Sequence, residues 1–164
     1  MTRFKDPINH KPSTINLQKM QTLTEHFCLE EFERSATAER LGICNGAPLS
    51  AISRLQNLCQ QVLEPARQAY GKPIVIQSGY RCTQLNTAVG GVPNSQHRTG
   101  EAADLPYSDT LLAILKTLPY DQLIVEVSKS YKASGGTRGT KWLHVSCKFK
   151  GQNRHQFIAT LVKK

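Results

Sequence analysis

The sequence predicts one α+β domain, a small antiparallel sheet with helices packed on one side. Apolar residues recur at helical spacing in the first half of the chain, and two short runs with a period of two occupy the second half. Glycine and proline punctuate these runs, with no internal repeat or low-complexity segment. A chain of 164 residues suits a single unit, 1–164, long enough to bury a core without disulfides or a structural metal. Residues 1–20 read as an extended N-terminal arm.

The first strong element is helical. Leu49, Ile52, Leu55, Leu58, Val62, Leu63, Ala66 and Tyr70 fall on one face of a helix that ends near Gly71 and that Pro65 should kink. After the break at Gly71-Lys72-Pro73, Ile74-Val75-Ile76 reads as a short strand that delivers Ser78-Gly79-Tyr80-Arg81 to its end, before a short helix around Gln84 to Val89. Gly90-Gly91-Val92-Pro93-Asn94 is a turn-rich loop leading to His97. Gly100 and Thr99 argue against a continuous helix from His97 to Asp104, so a loop and a short strand are expected, with Ala102 and Asp104 on one face. A further helix spans Asp109 to Leu118 with Ser108 as its cap.

Strands are expected near Gln122 to Val127 and Trp142 to Lys148. In the first, Leu123, Val125 and Val127 share one face, and Gln122, Ile124 and Glu126 the other. In the second, Leu143, Val145 and Cys147 oppose Trp142, His144 and Ser146. If both apolar faces pack on one core, Glu126 and His144 emerge on the same side of the sheet. The connection from Ser128 to Lys141 is too polar for core and long for a hairpin loop; a flap beside a cleft and a plain surface loop both fit it.

The formal net charge of +9 would suit any polyanion. The basic residues, however, form no helical stripe, aromatic-basic repeat or zinc-finger spacing, so a soluble basic surface is expected and nucleic acid is not expected as a partner. Five cysteines, Cys28, Cys44, Cys59, Cys82 and Cys147, make an odd number without a Cys-x-x-Cys pair, which argues against a disulfide framework or a thiolate metal site. They read as buried, reduced thiols. The N-terminal residues lack the apolar stretch of a secretory signal, and no apolar run is long enough for a bilayer, so synthesis in the cytoplasm without a signal peptide or membrane anchor is expected.

Two histidines and an aspartate carry the chemistry: His97 and Asp104 in Ser95-Gln96-His97-Arg98-Thr99-Gly100-Glu101-Ala102-Ala103-Asp104, and His144 in Trp142-Leu143-His144-Val145-Ser146. Catalytic zinc usually takes three such ligands and keeps a fourth position for water. His10, His26 and His155 have no such setting and read as surface or hydrogen-bonded histidines.

Those segments, with Ser78-Gly79-Tyr80-Arg81, Leu85-Asn86, Val89-Gly90-Gly91 and Asp121-Gln122-Leu123-Ile124, resemble the zinc D-alanyl-D-alanine carboxypeptidases, peptidoglycan peptidases that share a fold with the hedgehog signalling domain, and in particular their phage- and prophage-associated branch. The resemblance implies one zinc ion on His97, Asp104 and His144, and a peptide of the peptidoglycan stem as substrate, cleaved as a D,D-carboxypeptidase or an endopeptidase by a monomer. It implies Glu126 as the acid–base residue, the acidic choice nearest His144, since none lies between Val127 and His144. Arg81 has a guanidinium suited to a peptide carboxylate, Ser95 and Gln122 are further substrate-binding candidates, and Trp142 is expected to steady the ligands from behind. A wall rich in carboxylates and phosphates also matches the positive charge. Such a protein acts on the wall after export, lysis or carriage in a phage particle. The other function class that fits is a phage structural or wall-binding module that keeps the metal site without turnover.

Overall fold

The computed structural model describes residues 21–128 and 139–163. The arm at 1–20 and the interior of the 128–141 connection lie outside the described residues.

Two short helices, α1 (Leu29–Glu33) and α2 (Ala36–Leu41), lead into the central helix. That helix begins as α3 (Leu49–Leu58), widens into one π turn (Cys59–Leu63) and resumes as α4 (Glu64–Tyr70), closing on Gly71 in the left-handed region at φ 69°. The π turn is the form taken by the kink expected at Pro65. Proline has no N–H to offer the preceding turn and its ring crowds the carbonyl there, so the ladder shifts and the Glu64 N–H reaches back five residues to Cys59 O. Leu55, Leu58, Val62, Leu63 and Ala66 are buried along one face, as their spacing predicts, and Ile52 and Tyr70 are partly buried; Ala51 joins the core unforeseen, whereas Leu49, expected on that face, opens the helix at 82% exposure. Each buried large apolar side chain contributes about 1.5–3 kcal/mol.

After α5 (Thr83–Ala88), the chain forms β1 (Ala102–Pro106), α6 (Asp109–Leu115), β2 (Gln122–Ser128), β3 (Lys141–Ser146) and β4 (Gln156–Lys163). Ser108 caps α6, its Oγ accepting from Leu111 N. The helix stops at Leu115 rather than Leu118 because Leu118 precedes Pro119 and is steered out of the helical region.

The sheet order is β1-β3-β2-β4. β3 pairs antiparallel with both β1 and β2, as expected. The unforeseen β4 adds a parallel edge to β2, with an irregularity between Ile124 and Glu126. The strand expected at Ile74 to Ile76 does not form. Its continuation touches β1 in one bridge, Ser78 with Asp104, and the next pair of ladder bonds would need an N–H from Pro106. The cysteines are free, as expected, but only Cys59 and Cys147 are buried; Cys28 and Cys82 are partly exposed and Cys44 is exposed.

Alternation divides the sheet into two faces. Ala103, Leu105, Leu123, Val125, Leu143, Val145 and Cys147 join the apolar core together with the central helix. Ala102, Asp104, Ile124, Glu126, Trp142, His144 and Ser146 point the other way. The register places Asp104, His144 and Ile124 in one row across β1, β3 and β2, and Pro106, Trp142 and Glu126 in the next. Glu126 and His144 therefore share a face, as their strand periods predicted.

Candidate metal centre

Asp104 and His144 are direct partners on neighbouring strands, where Cβ atoms lie about 4.5–5.5 Å apart. His97 enters from a 3₁₀ turn, Gln96–Arg98. Its Nε2 lies 3.2 Å from Asp104 Oδ1 and 3.2 Å from His144 Nδ1, and the latter two are 3.0 Å apart. All three residues are buried.

The Ser78-Gly79-Tyr80-Arg81 run forms a bracket around two of these ligands. Asp104 N donates to Ser78 O at 2.8 Å and Gln77 N to Asp104 O at 2.9 Å, fixing the Asp104 backbone on the open edge of β1. Gly79 O lies 2.7 Å from His97 Nδ1, and Arg81 N donates to His97 O at 3.1 Å. Gly79 has no room for a side chain: a Cβ there would stand 2.6 Å from the Phe32 backbone in α1. Arg81 donates from Nη2 to Asp104 Oδ2 at 2.8 Å and from Nε to Ser78 Oγ at 2.9 Å. The second carboxylate oxygen is thus held from behind, and Oδ1 faces the histidines.

The donor set fits a single cation. A carbonyl oxygen only accepts, so His97 Nδ1 carries a proton toward Gly79 O, and burial lowers the His97 pKa, which keeps the ring neutral. Its Nε2 lone pair is then directed at an oxygen of Asp104. Burial alone would raise the Asp104 pKa, but its close contacts with His97 and His144 hold it well below the usual carboxylate range. Two acceptors facing each other call for a positive centre between them. Bonds of roughly 2.0–2.2 Å to a tetrahedral zinc place neighbouring ligand atoms about 3.4 Å apart, close to the 3.0–3.2 Å found. A second group, Glu25, His26 and Glu64, also lies close together, but two of its members are exposed and His26 Nδ1 is 2.5 Å from Glu64 Oε1.

A cleft of about 1010 Å³ opens over this face, and all eight residues singled out from the sequence line it: His97, Asp104, His144, Glu126, Arg81, Ser95, Gln122 and Trp142. Glu126 is only 3% exposed and occupies the row next to His144. Gln122 Nε2 donates to Gln156 Oε1 at 2.6 Å, tying the wall of the cleft to β4.

Two structural residues went unassigned in the sequence. Asn45 donates to Glu33 O and Tyr80 O and accepts from Cys82 N, joining α1 to the bracket. Asp121, fully buried, accepts from Gln96 Nε2 at 2.9 Å, beside His97, and from the backbone and guanidinium of Arg154, while its N–H donates to Ser146 O at 2.7 Å. Desolvation raises its pKa, yet the hydrogen bonds from Arg154 and Gln96 outweigh it and hold the carboxyl well below the usual range. Its Asp-Gln-Leu-Ile setting was visible, but not its partners, which lie 25 and 33 positions away.

Asp121→Asn is expected to cost about 2–3 kcal/mol, below the usual cost of breaking a buried pair because Arg154 is half-exposed. The sign with pH follows from a lowered folded pKa: Asp121 stabilises fully above its unfolded pKa near ~4, and that stability is lost as pH falls through the lower folded value. Urea denaturation between pH 3 and 7 should therefore give a shallower pH dependence for the variant; parallel curves would remove Asp121 from this role.

The fold and site define a small α+β domain built around a buried cluster of two histidines and an aspartate that could hold one metal ion. The chain belongs to the peptidase M15 family, whose model matches residues 25–146. It is 35% identical over 101 residues to a zinc D-Ala-D-Ala carboxypeptidase of Streptomyces albus G, a match covering 57% of this chain and 38% of that protein. The chain thus spans well under half the length of this curated relative. The zinc expected from the sequence agrees with the family and with the donor set.

Proposed function

We propose that the chain is a zinc-dependent peptidase that hydrolyses a peptide bond of the peptidoglycan stem, acting as a monomer, with removal of a terminal D-alanine as the favoured reaction over internal cleavage. The carrying observation is that three mutually adjacent ligand atoms and a buried glutamate share one cleft. The family match and the carboxypeptidase relative support the substrate class.

His97, Asp104 and His144 would hold the zinc, which when bound would supply a Lewis acid for the scissile carbonyl and lower the pKa of water toward about 7. Glu126 takes a proton from the attacking water as its oxygen bonds to the carbonyl carbon, then delivers a proton to the leaving nitrogen as the carbon–nitrogen bond breaks. Arg81 holds Asp104 in the orientation that presents Oδ1. Ser95 and Gln122 form the wall against which the peptide lies, and Trp142 covers the row beside Glu126. A non-catalytic wall-binding module would have little need of a buried carboxylate at this position. Such a substrate places the site of action at the cell wall, reached by export, by lysis or on a particle.

Defined muropeptides incubated with zinc-loaded protein should lose the mass of a terminal alanine, and a chelator should abolish this. Intact muropeptides across all stem types, with zinc bound, would overturn the proposal.

A further inference from the structure

Arg154 is held by both oxygens of a buried carboxylate and still lines the cleft. Its Nε donates to Asp121 Oδ1 and Oδ2 at 3.0 and 3.1 Å, and its Nη2 pairs with Oδ2 at 2.5 Å. That leaves the Nη1 edge uncommitted to Asp121. The side chain is 48% exposed, whereas its partner is fully buried. Lys148 Nζ stands 3.5 Å from the same carboxylate. Asp121 is thus shared between two cations, which leaves the cluster with a net positive charge.

The position relative to the metal ligands follows from the register. Arg154 N donates to Asp121 Oδ1, at the start of β2, and Ile124 shares a row with Asp104 and His144. Gln122 stands one strand period before that row, about 6–7 Å away, and Glu126 one period beyond it. The cleft is therefore polarised, with a carboxylate to one side of the ligand row and an anchored guanidinium to the other. In a peptide about to lose its last residue, the terminal carboxylate lies two bonds from the nitrogen of the scissile bond. A guanidinium anchored on Asp121, which also accepts from Gln96 beside His97, lines the same cleft as the ligand row. Arg81, the carboxylate binder expected from the sequence, has its Nε and Nη2 engaged with Ser78 and Asp104.

We propose that Arg154, braced by Asp121, receives the terminal carboxylate of the substrate and makes this site select peptides with a free C-terminus over internal bonds. The proposal rests on the peptidase reading above and adds the residue that sets exopeptidase specificity. Anchoring at two nitrogens matters, because a pre-oriented guanidinium loses less freedom on forming a charge-assisted pair.

The test compares an acyl peptide ending in D-Ala-D-Ala as the free acid with the same peptide as its C-terminal carboxamide, on the zinc-loaded protein. Hydrolysis is followed by mass spectrometry. Binding is measured by calorimetry on the Glu126→Gln protein, where turnover is suppressed. The acid should be preferred about tenfold to thirtyfold in kcat/KM, the size expected for a charge-assisted contact at a half-exposed arginine. Arg154→Gln should bring the acid-to-amide ratio near one, and Arg154→Lys should retain part of it. A wild-type ratio near one overturns the proposal whatever the variants do. So does an Arg154→Gln protein that loses acid and amide turnover alike, since that is the mark of a brace alone. If neither peptide is cleaved but the acid binds selectively in an Arg154-dependent way, the carboxylate site stands and the peptidase reading falls.

Discussion

Glu126→Gln is expected to lower kcat by about 10²–10⁴-fold while zinc stays bound at one ion per chain, because the substitution removes proton transfer and leaves the metal ligands in place. Glutamine matches glutamate in shape, so the row of Pro106, Trp142 and residue 126 should pack as before. An amide cannot take the proton of the attacking water, and that step has to precede expulsion of the amine. Because the side chain is 3% exposed, bulk solvent is a poor substitute for it. KM for a defined muropeptide should move far less than kcat, since the lost interaction belongs to the transition state rather than to substrate binding. Kinetics run with metal analysis and thermal melts separate the cases. A kcat within threefold of the parent at full zinc occupancy would remove Glu126 from the proton path.

The position of Glu126 illustrates what the sequence made legible. Alternation along two strands puts the glutamate and His144 on one side, and the register agrees through the pairing of Ile124 with His144. The same periodicity sorted core from site for β2 and β3, because a strand buried on one face and functional on the other shows a pattern of two. The central helix was equally visible, down to the disturbance at Pro65.

Other features depend on partners remote in the chain. The Ile74–Ile76 run has strand composition, yet whether it pairs depends on Pro106, some thirty residues later. β4 lacks clean alternation because it is an edge: Phe157, Ala159 and Thr160 are exposed and Ile158 only half-buried. Arg81 looked free to meet a substrate, and only the fold reveals Asp104 and Ser78 against it. Residue type, spacing and the family resemblance pointed to the three candidate ligands; the contacts that hold them could not be read without the third dimension.

Those contacts lead to the other large effect. Asp104→Asn is expected to weaken zinc binding by more than about 100-fold, since loss of a ligand should exceed the 10–100-fold seen when a ligand's supporting partner is lost. Activity should fall to background with it. Asparagine preserves shape and can still accept from Arg81, but it brings no negative charge to a site where Arg81 and two imidazoles converge. The metal-free variant should also be less stable, because the guanidinium of Arg81, 17% exposed, loses its ion pair. Zinc-dependent melting provides a readout independent of turnover. A ligand at 1,000 times its dissociation constant stabilises the native state by about 4 kcal/mol, so the parent should melt at a clearly higher temperature with zinc, and the variant should not. A variant that keeps the parent's zinc shift would show that the carboxylate at 104 is not a ligand, and the hydrolytic assignment would lose its centre.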